Sequence, residues 1–96
     1  MNTEVIHNEA KARYEITLDG DLAGFADYES RPGRVVFTHT EINSKLEGRG
    51  LGGRLVQGAL DDVRGQGLRA VPACSFVKRW IDQHPDYQDL VQSSAS

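Results

Sequence analysis

A chain of 96 residues can enclose one modest hydrophobic core and no more. With 39% hydrophobic and 26% charged residues, its composition is ordinary for a soluble globular protein and indicates neither disorder nor a fibrous class. A formal net charge of −3 and an isoelectric point near 5.5 argue against general binding to nucleic acid or anionic membranes. The lone Cys74 closes no internal disulfide, which is compatible with a reducing compartment. No apolar run approaches the ~18–20 residues of a membrane span. The N-terminus also lacks the basic-then-apolar layout of a signal peptide. A cytoplasmic protein is expected, with residues 1–91 as one domain and Gln92 to Ser96 as a frayed polar tail.

Thr3 to Asn8 reads as a short first strand whose pairing the sequence does not reveal. From Ala12 the alternation is clean, with Ala12, Tyr14, Ile16 and Leu18 on one face and Arg13, Glu15 and Thr17 on the other, as in a half-buried strand. Asp19-Gly20 signals a tight hairpin, because mirror-image turns need positive φ. The partner strand runs from about Leu22 to Tyr28, with Gly24 marking a bulge or a close backbone approach. After the turn at Arg31-Pro32-Gly33, the β-branched run from Val35 to Ile42 reads as a central strand. The first half is therefore an antiparallel meander.

Asn43 to Lys45 lead into Glu47-Gly48-Arg49-Gly50-Leu51-Gly52-Gly53-Arg54. Beyond it Leu51, Leu55, Val56, Ala59, Leu60 and Val63 form one apolar helical stripe, opposite Gln57, Asp61, Asp62 and Arg64. Gly65 and Gly67 are C-cap candidates. Leu68 to Ala73 is a short strand, parallel to the Val35 strand if the crossover through the helix is the usual right-handed one. Ser75 is expected to cap a second helix with Phe76, Val77, Trp80 and Ile81 on its apolar side. His84-Pro85 ends that helix, and Asp86 is expected to cap a last turn through Val91. The fold class is α/β of the α+β kind: a mixed sheet in which the meander is followed by a β-α-β crossover and a C-terminal helix.

Four of the six residues from Gly48 to Gly53 are glycine, so a ligand can approach the backbone with no Cβ in the way. The helix begins there, and its first N–H groups and positive dipole end make an anion site suited to phosphate or pyrophosphate. Arg49 and Arg54 add positive charge. Gly48, Gly50 and Gly53 formally satisfy Gly-x-Gly-x-x-Gly, but no opening βαβ unit precedes them. No carboxylate ends the next strand either, so the dinucleotide fingerprint is a weak match. No Gly-Lys-Ser/Thr follows, which excludes the nucleotide-triphosphate loop.

The segment instead resembles the acyl-CoA pyrophosphate loop Arg/Gln-x-x-Gly-x-Gly/Ala of the GNAT acetyltransferase superfamily, with Gly50 and Gly52 at its small positions and Glu47 where the pattern has Arg or Gln. Cys74-Ser75-Phe76-Val77 and His84-Pro85-Asp86-Tyr87 look like the small single-domain, YjdJ-like branch, so the resemblance covers about Val35 to Val91. It implies a minimal GNAT-like sheet whose Val35 strand and following strand splay to admit the pantetheine arm. Main-chain groups near Ile42 and Asn43 would pair with that arm, and N–H groups of about Arg49, Gly50, Leu51, Gly52 and Gly53 would bind the pyrophosphate. Lys78 would either reach a CoA phosphate or stand in solvent.

Cys74 lies where a strand gives way to a helix, a position that favours the thiolate; it would be a nucleophile or a wall of the channel. His39 and Glu41 share one strand face, and either is a candidate general base, with His39 suited to activating Cys74 if the two strands are neighbours. The last helix carries Trp80 rather than a proton-donating tyrosine, and Tyr87 lies beyond it, so the general acid is unassigned. His7, His39 and His84 lack metal-ligand spacing, and no metal is expected. The expectation is an N-acetyltransferase that uses acetyl-CoA as co-substrate and a protein, peptide or small amine as acceptor, binding neither nucleic acid nor membrane. A CoA-binding module without efficient catalysis is the alternative, and an adenine-dinucleotide binder the third reading. Exposed sheet edges allow a monomer or a weak dimer.

Overall fold

The computed structural model describes residues 2–91, so the expected tail, residues 92–96, lies outside the described residues. Strands β1 (Thr3–Asn8), β2 (Arg13–Leu18), β3 (Asp21–Arg31) and β4 (Arg34–Ile42) form the meander, followed by helix α1 (Leu51–Gly65), strand β5 (Arg69–Pro72) and helix α2 (Ser75–Asp82). The five strands lie in sequence order; β1 to β4 are antiparallel neighbours and β4 pairs with β5 in parallel. β1 pairs residue for residue with β2, from Thr3↔Leu18 to Asn8↔Arg13.

Local chemistry accounts for the corners. Asp19 (φ 50°) and Gly20 (φ 90°) form the two-residue mirror-image turn between β2 and β3. Beyond the α1 cap at Gln66, Gly67 at φ 73° closes the helix: its N–H bonds the Arg64 carbonyl while the Leu68 N–H reaches back to Val63, a paired closure that requires a left-handed residue. Gly65 is the last residue of α1 rather than its cap, Arg31 ends β3 rather than opening the turn, and other positions also differ from expectation. Ala12 does not belong to β2: at φ 51° it closes a 3₁₀ turn, Glu9–Lys11, which the Asn8 side chain caps. Ser75 is the first residue of α2, and the cap position is Cys74, whose side chain makes no capping bond. Asp86 likewise lies inside a final 3₁₀ helix, Pro85–Leu90, whose cap position is His84. Phe76 is 40% exposed, whereas Val77, Trp80 and Ile81 are buried.

The six apolar residues of the α1 stripe are all buried and pack on Tyr14, Ile16, Ala26, Val35 and Phe37 of the sheet, joined by Val77, Trp80 and Ile81. Both helices thus cover one sheet face. The other face carries Arg13 over the Phe25 ring (4.7 Å), the Arg13–Glu15 ion pair (2.7 Å) and His39 tilted against Phe25. Two bulges interrupt the ladders. Pairing steps from Ile16↔Gly24 to Thr17↔Leu22, leaving Ala23 extra in β3, and from Asp27↔His39 to Tyr28↔Phe37, leaving Thr38 extra in β4.

Candidate functional site

The Thr38 bulge decides what faces what. A strand alternates its side chains, so one inserted residue exchanges the faces of everything beyond it. Val35 and Phe37 point into the core, but past the bulge it is Thr40 and Ile42 that continue that face, while His39 and Glu41 stand on the open side. There His39 and Glu41 are 55% and 60% exposed and pair with each other at 3.2 Å. The structure therefore does not bring His39 to Cys74. Thr40 meets the thiol instead, with Oγ1 3.4 Å from Sγ.

The same point opens the sheet. Parallel pairing of β4 with β5 runs from Arg34↔Arg69 to Phe37↔Pro72, and the Cys74 N–H makes the next bond, to the Phe37 carbonyl at 2.8 Å. Beyond it α2 leads the chain away, and among the described residues no strand pairs with the second side of β4 from Thr38 to Ile42. Because the Asn43 N–H bonds the Ala23 carbonyl of β3, alternation turns the main-chain groups of Ile42 and Thr40 toward this gap. Gly24 secures the arrangement by close approach, since a Cβ there would stand 2.5 Å from the Glu41 carbonyl oxygen.

A cavity of about 400 Å³ occupies the gap, walled by Thr40, Ile42, Leu46, the glycine segment and Phe76. Asn43 starts the loop by accepting from the Lys45 N–H, and a short 3₁₀ turn, Ser44–Leu46, leads to Glu47. Gly48 (φ 84°) and Gly50 (φ 75°) are left-handed with open space around them, so conformation requires glycine there. At Gly52 and Gly53 a Cβ would lie 2.5 Å from Phe76 Cζ and 3.3 Å from Trp80 Nε1 respectively, so the two rings pack directly on the bare backbone. The first bond inside α1 runs from the Arg54 N–H to the Gly50 carbonyl, so the N–H groups of Leu51, Gly52 and Gly53 have no carbonyl a turn earlier to bind. Those donors and the positive helix end make the wall attractive to an anion.

The charged side chains stand differently. Glu47 lines the cavity. Arg49 and Arg54 flank a separate recess of about 140 Å³ with Thr3 and Leu18, and Arg54 donates to the Thr3 hydroxyl at 2.8 Å. Lys78 is exposed and paired with Asp82, one turn on, at 3.1 Å. Cys74 is 8% exposed and sits behind Thr40. Tyr87 donates to Asp61 on α1, and the Trp80 ring stacks on His84 at 3.8 Å.

Thr40, Leu46 and Phe76 escaped the sequence reading. A signal for Thr40 existed: if Ile42 faces the ligand, alternation puts Thr40 beside it and sends His39 and Glu41 to the other side.

A glycine-built helix entrance beside the uncovered end of a parallel strand pair defines a class of α/β protein whose open strand edge and anion-attracting helix start border one cavity. Residues 13–90 match the sequence profile described as GCN5-related N-acetyl-transferase, and the chain belongs to that family of acetyl-CoA-dependent acyltransferases. Protein NATD1 of Bos taurus is 31% identical over 84 residues, covering 84% of this chain and 74% of that protein. The NMR structure of a GCN5-like protein from Staphylococcus aureus superposes with a TM-score of 0.72 at 21% identity, over 94% of this chain and 88% of that one. A GNAT-family acetyltransferase from Brucella melitensis, in complex with acetyl-CoA, gives 0.56 at 21% identity over 77% and 56%. At those identities the two structures show a shared fold.

Proposed function

We propose that this chain transfers the acetyl group of acetyl-CoA to an amine, with the CoA lying in the cavity between the glycine segment and the free side of β4. The pyrophosphate would rest on the N–H groups from about Arg49 to Gly53, and the pantetheine amides would pair with the main chain near Thr40 and Ile42, as an added strand does. One observation carries this reading: a run of unpaired β4 backbone and a helix start with free donors border the same cavity. The Brucella melitensis neighbour, described as an acetyl-CoA complex, supports the choice of ligand.

In the transfer, the amine nitrogen bonds to the thioester carbonyl carbon and the carbon–sulfur bond breaks. The sulfur leaves as thiolate or thiol, and the amine gives up a proton. An acceptor arriving from the open sheet face meets the His39–Glu41 pair, which would take that proton directly or through water. Cys74, which stands behind Thr40, would either carry the acetyl group as a thioester or back the channel wall. Positioning supplies much of the rate, as it does for well-oriented intramolecular reactions, where ~7–11 kcal/mol is available. Lys78 is proposed as a CoA phosphate contact once released from Asp82.

A second reading has its own observation. His39 stands on the face opposite Cys74, which suits a CoA-binding module without efficient turnover. Thermal unfolding with acetyl-CoA, CoA, NAD and ATP tests the ligand. A ligand at ~100 times its Kd adds about 2.7 kcal/mol, and acetyl-CoA and CoA alone are expected to raise Tm. No shift with either would overturn both readings. Replacing His39 with Gln and Cys74 with Ala, each followed by binding and by transfer to an amine panel, separates them: retained binding with lost turnover marks the enzyme.

A further inference from the structure

At the opposite end of α1 from the glycine segment lies a second cavity of about 580 Å³, bordered by His7, Glu9, Tyr14, Tyr28 and Glu29. Val35 also borders it, five residues before Thr40. At ~3.3 Å per strand residue this puts the two places about 16 Å apart. The far cavity is therefore separate from the acyl-transfer site.

Its wall is a side-chain relay. His7 Nε2 lies 2.6 Å from the Tyr28 hydroxyl and His7 Nδ1 lies 3.3 Å from Asp62 Oδ2, an oxygen that also accepts from Tyr14 (2.6 Å) and Gln66. Nδ1 faces carboxylates only, Asp62 and, at 3.9 Å, Glu9, so it carries the proton. In the neutral ring with its proton on Nδ1, Nε2 accepts from the Tyr28 hydroxyl, which leaves the phenol oxygen with lone pairs for a ligand. The His7, Tyr14 and Tyr28 rings cluster with centroids 4.3–5.6 Å apart. Arg31, the one cationic lining residue, is committed to Glu29 at 2.8 Å. The cluster offers acceptors, carboxylates and aromatic surface.

The helix adds to this sign. Asp62 lies in the last turn of α1, where the dipole is negative, so the fold keeps a carboxylate where another negative charge is disfavoured. Burial, then the charges of Glu9 and Asp62, push the Tyr28 phenol up from its ordinary range; burial and Asp62 do the same to Tyr14.

We propose that this cavity is a second binding site, for a small organic ammonium ion, with the Tyr28 hydroxyl and the Glu9 carboxylate receiving its N–H groups, the aromatic rings packing its methylenes, and Asp62 acting from behind His7 and Tyr14. The site is independent of the acetyl-transfer reading and stands or falls without it.

The test is an NMR titration of the full chain with 1,4-diaminobutane, using butyrate at equal ionic strength as control. Saturable shifts of the Tyr14, Tyr28 and His7 ring signals are expected with the diammonium and none with butyrate. Glu9→Gln removes an exposed charge worth ~1 kcal/mol at most, so it should weaken binding up to about fivefold. Tyr28→Phe, with folding checked by its amide spectrum, should weaken it further. Neither should alter the response of Gly48 to Gly53 to CoA. If Tyr28→Phe fails to fold, Glu9→Gln decides alone. Absence of saturation at tens of millimolar, equal shifts with butyrate, or affinity unchanged in the folded variants would overturn the proposal.

Discussion

At its N-terminal end α1 meets a wall made of backbone; at its C-terminal end it meets one made of side chains. The first is built from glycines: Gly48 and Gly50 take left-handed conformations and Gly52 and Gly53 leave room for aromatic rings, so donors face the cavity unobstructed. The second is built from His7, Tyr14, Tyr28 and Asp62, drawn from three strands and the helix and tied by bonds near 2.6 Å. One wall offers N–H groups at the positive helix end and the other offers oxygens at the negative end. A single helix of 15 residues thus polarises the molecule. Substitutions should act on one end while sparing the other.

The largest effect is expected from Gly24→Ala. Its Cβ would press on the Glu41 carbonyl and the Ile42 side chain, and backbone cannot swing aside as a side-chain tip can. Overpacking of this kind costs ~1–3 kcal/mol. At ~4–8 °C per kcal/mol in a small domain, Tm should fall by about 10 °C. CoA binding should weaken too, since Ile42 moves, while the tyrosine ring signals stay in place. A variant with wild-type Tm would show that the β3–β4 approach is slack.

Tyr14→Phe should come next and strike the other end. It deprives the Asp62 carboxylate of a short hydrogen bond, the kind worth ~1.5–3 kcal/mol; Asp62 is only half-buried, so the lower figure is expected. The pH dependence has a definite sign. Folding raises the Tyr14 pKa above its ordinary value of 10, so the unfolded chain loses that proton first, and stability falls as pH rises beyond ~10. Tyr14→Phe should flatten that alkaline decline in a Tm series, and an equally steep decline in the variant would remove Tyr14 as its cause.

Gly50→Ala should cost about 1 kcal/mol, the penalty of a left-handed non-glycine residue, since nothing crowds the added methyl. Its informative readout is the CoA-induced rise in Tm, which should shrink, whereas Tyr14→Phe should leave that rise intact. If both variants respond to CoA as wild type does, the glycine segment is not the binding wall.

Much of the framework was legible because it is written locally. The α1 stripe, the Asp19-Gly20 turn and the β-branched run of β4 each declare themselves within a few residues, and all six stripe residues are buried as expected. The glycine segment could be read as an anion wall for the same reason. What escaped depends on single-residue register or on distant partners. Thr38 has no compositional mark as a bulge, yet it moves His39 and Glu41 to the open face and brings Thr40 to Cys74. Arg54 read as a ligand for phosphate because its partner, Thr3, lies 51 residues away. The His7 cluster was invisible for that reason: His7, Tyr28 and Asp62 come together only once β1 is paired and α1 is docked. Phe76 escaped because α2 has only eight residues, too few for its sequence to fix which edge of the apolar stripe stays uncovered.

The smallest effect is expected on the open sheet face, which belongs to neither end of α1. Arg13 donates to Glu15 at 2.7 Å and Asn8 adds a bond at 3.1 Å, and together they hold the Glu15 carboxyl below its usual range. A carboxyl whose folded pKa is depressed contributes stability above its unfolded value near 4.5, and that stability drains away as pH falls through the folded value. Glu15→Gln should therefore lower Tm slightly at pH 7 and not at all once both carboxyl forms are protonated, so the two Tm curves converge at low pH. Asp89, held down in the same direction by Arg64, should supply most of the remaining acid sensitivity, and Asp89→Asn combined with Glu15→Gln should flatten the curve further. Curves that stay parallel into acid would mean that Glu15 acts through packing beside Arg13 and Phe25. In that case the open face would rest on shape rather than on charge, unlike either end of α1.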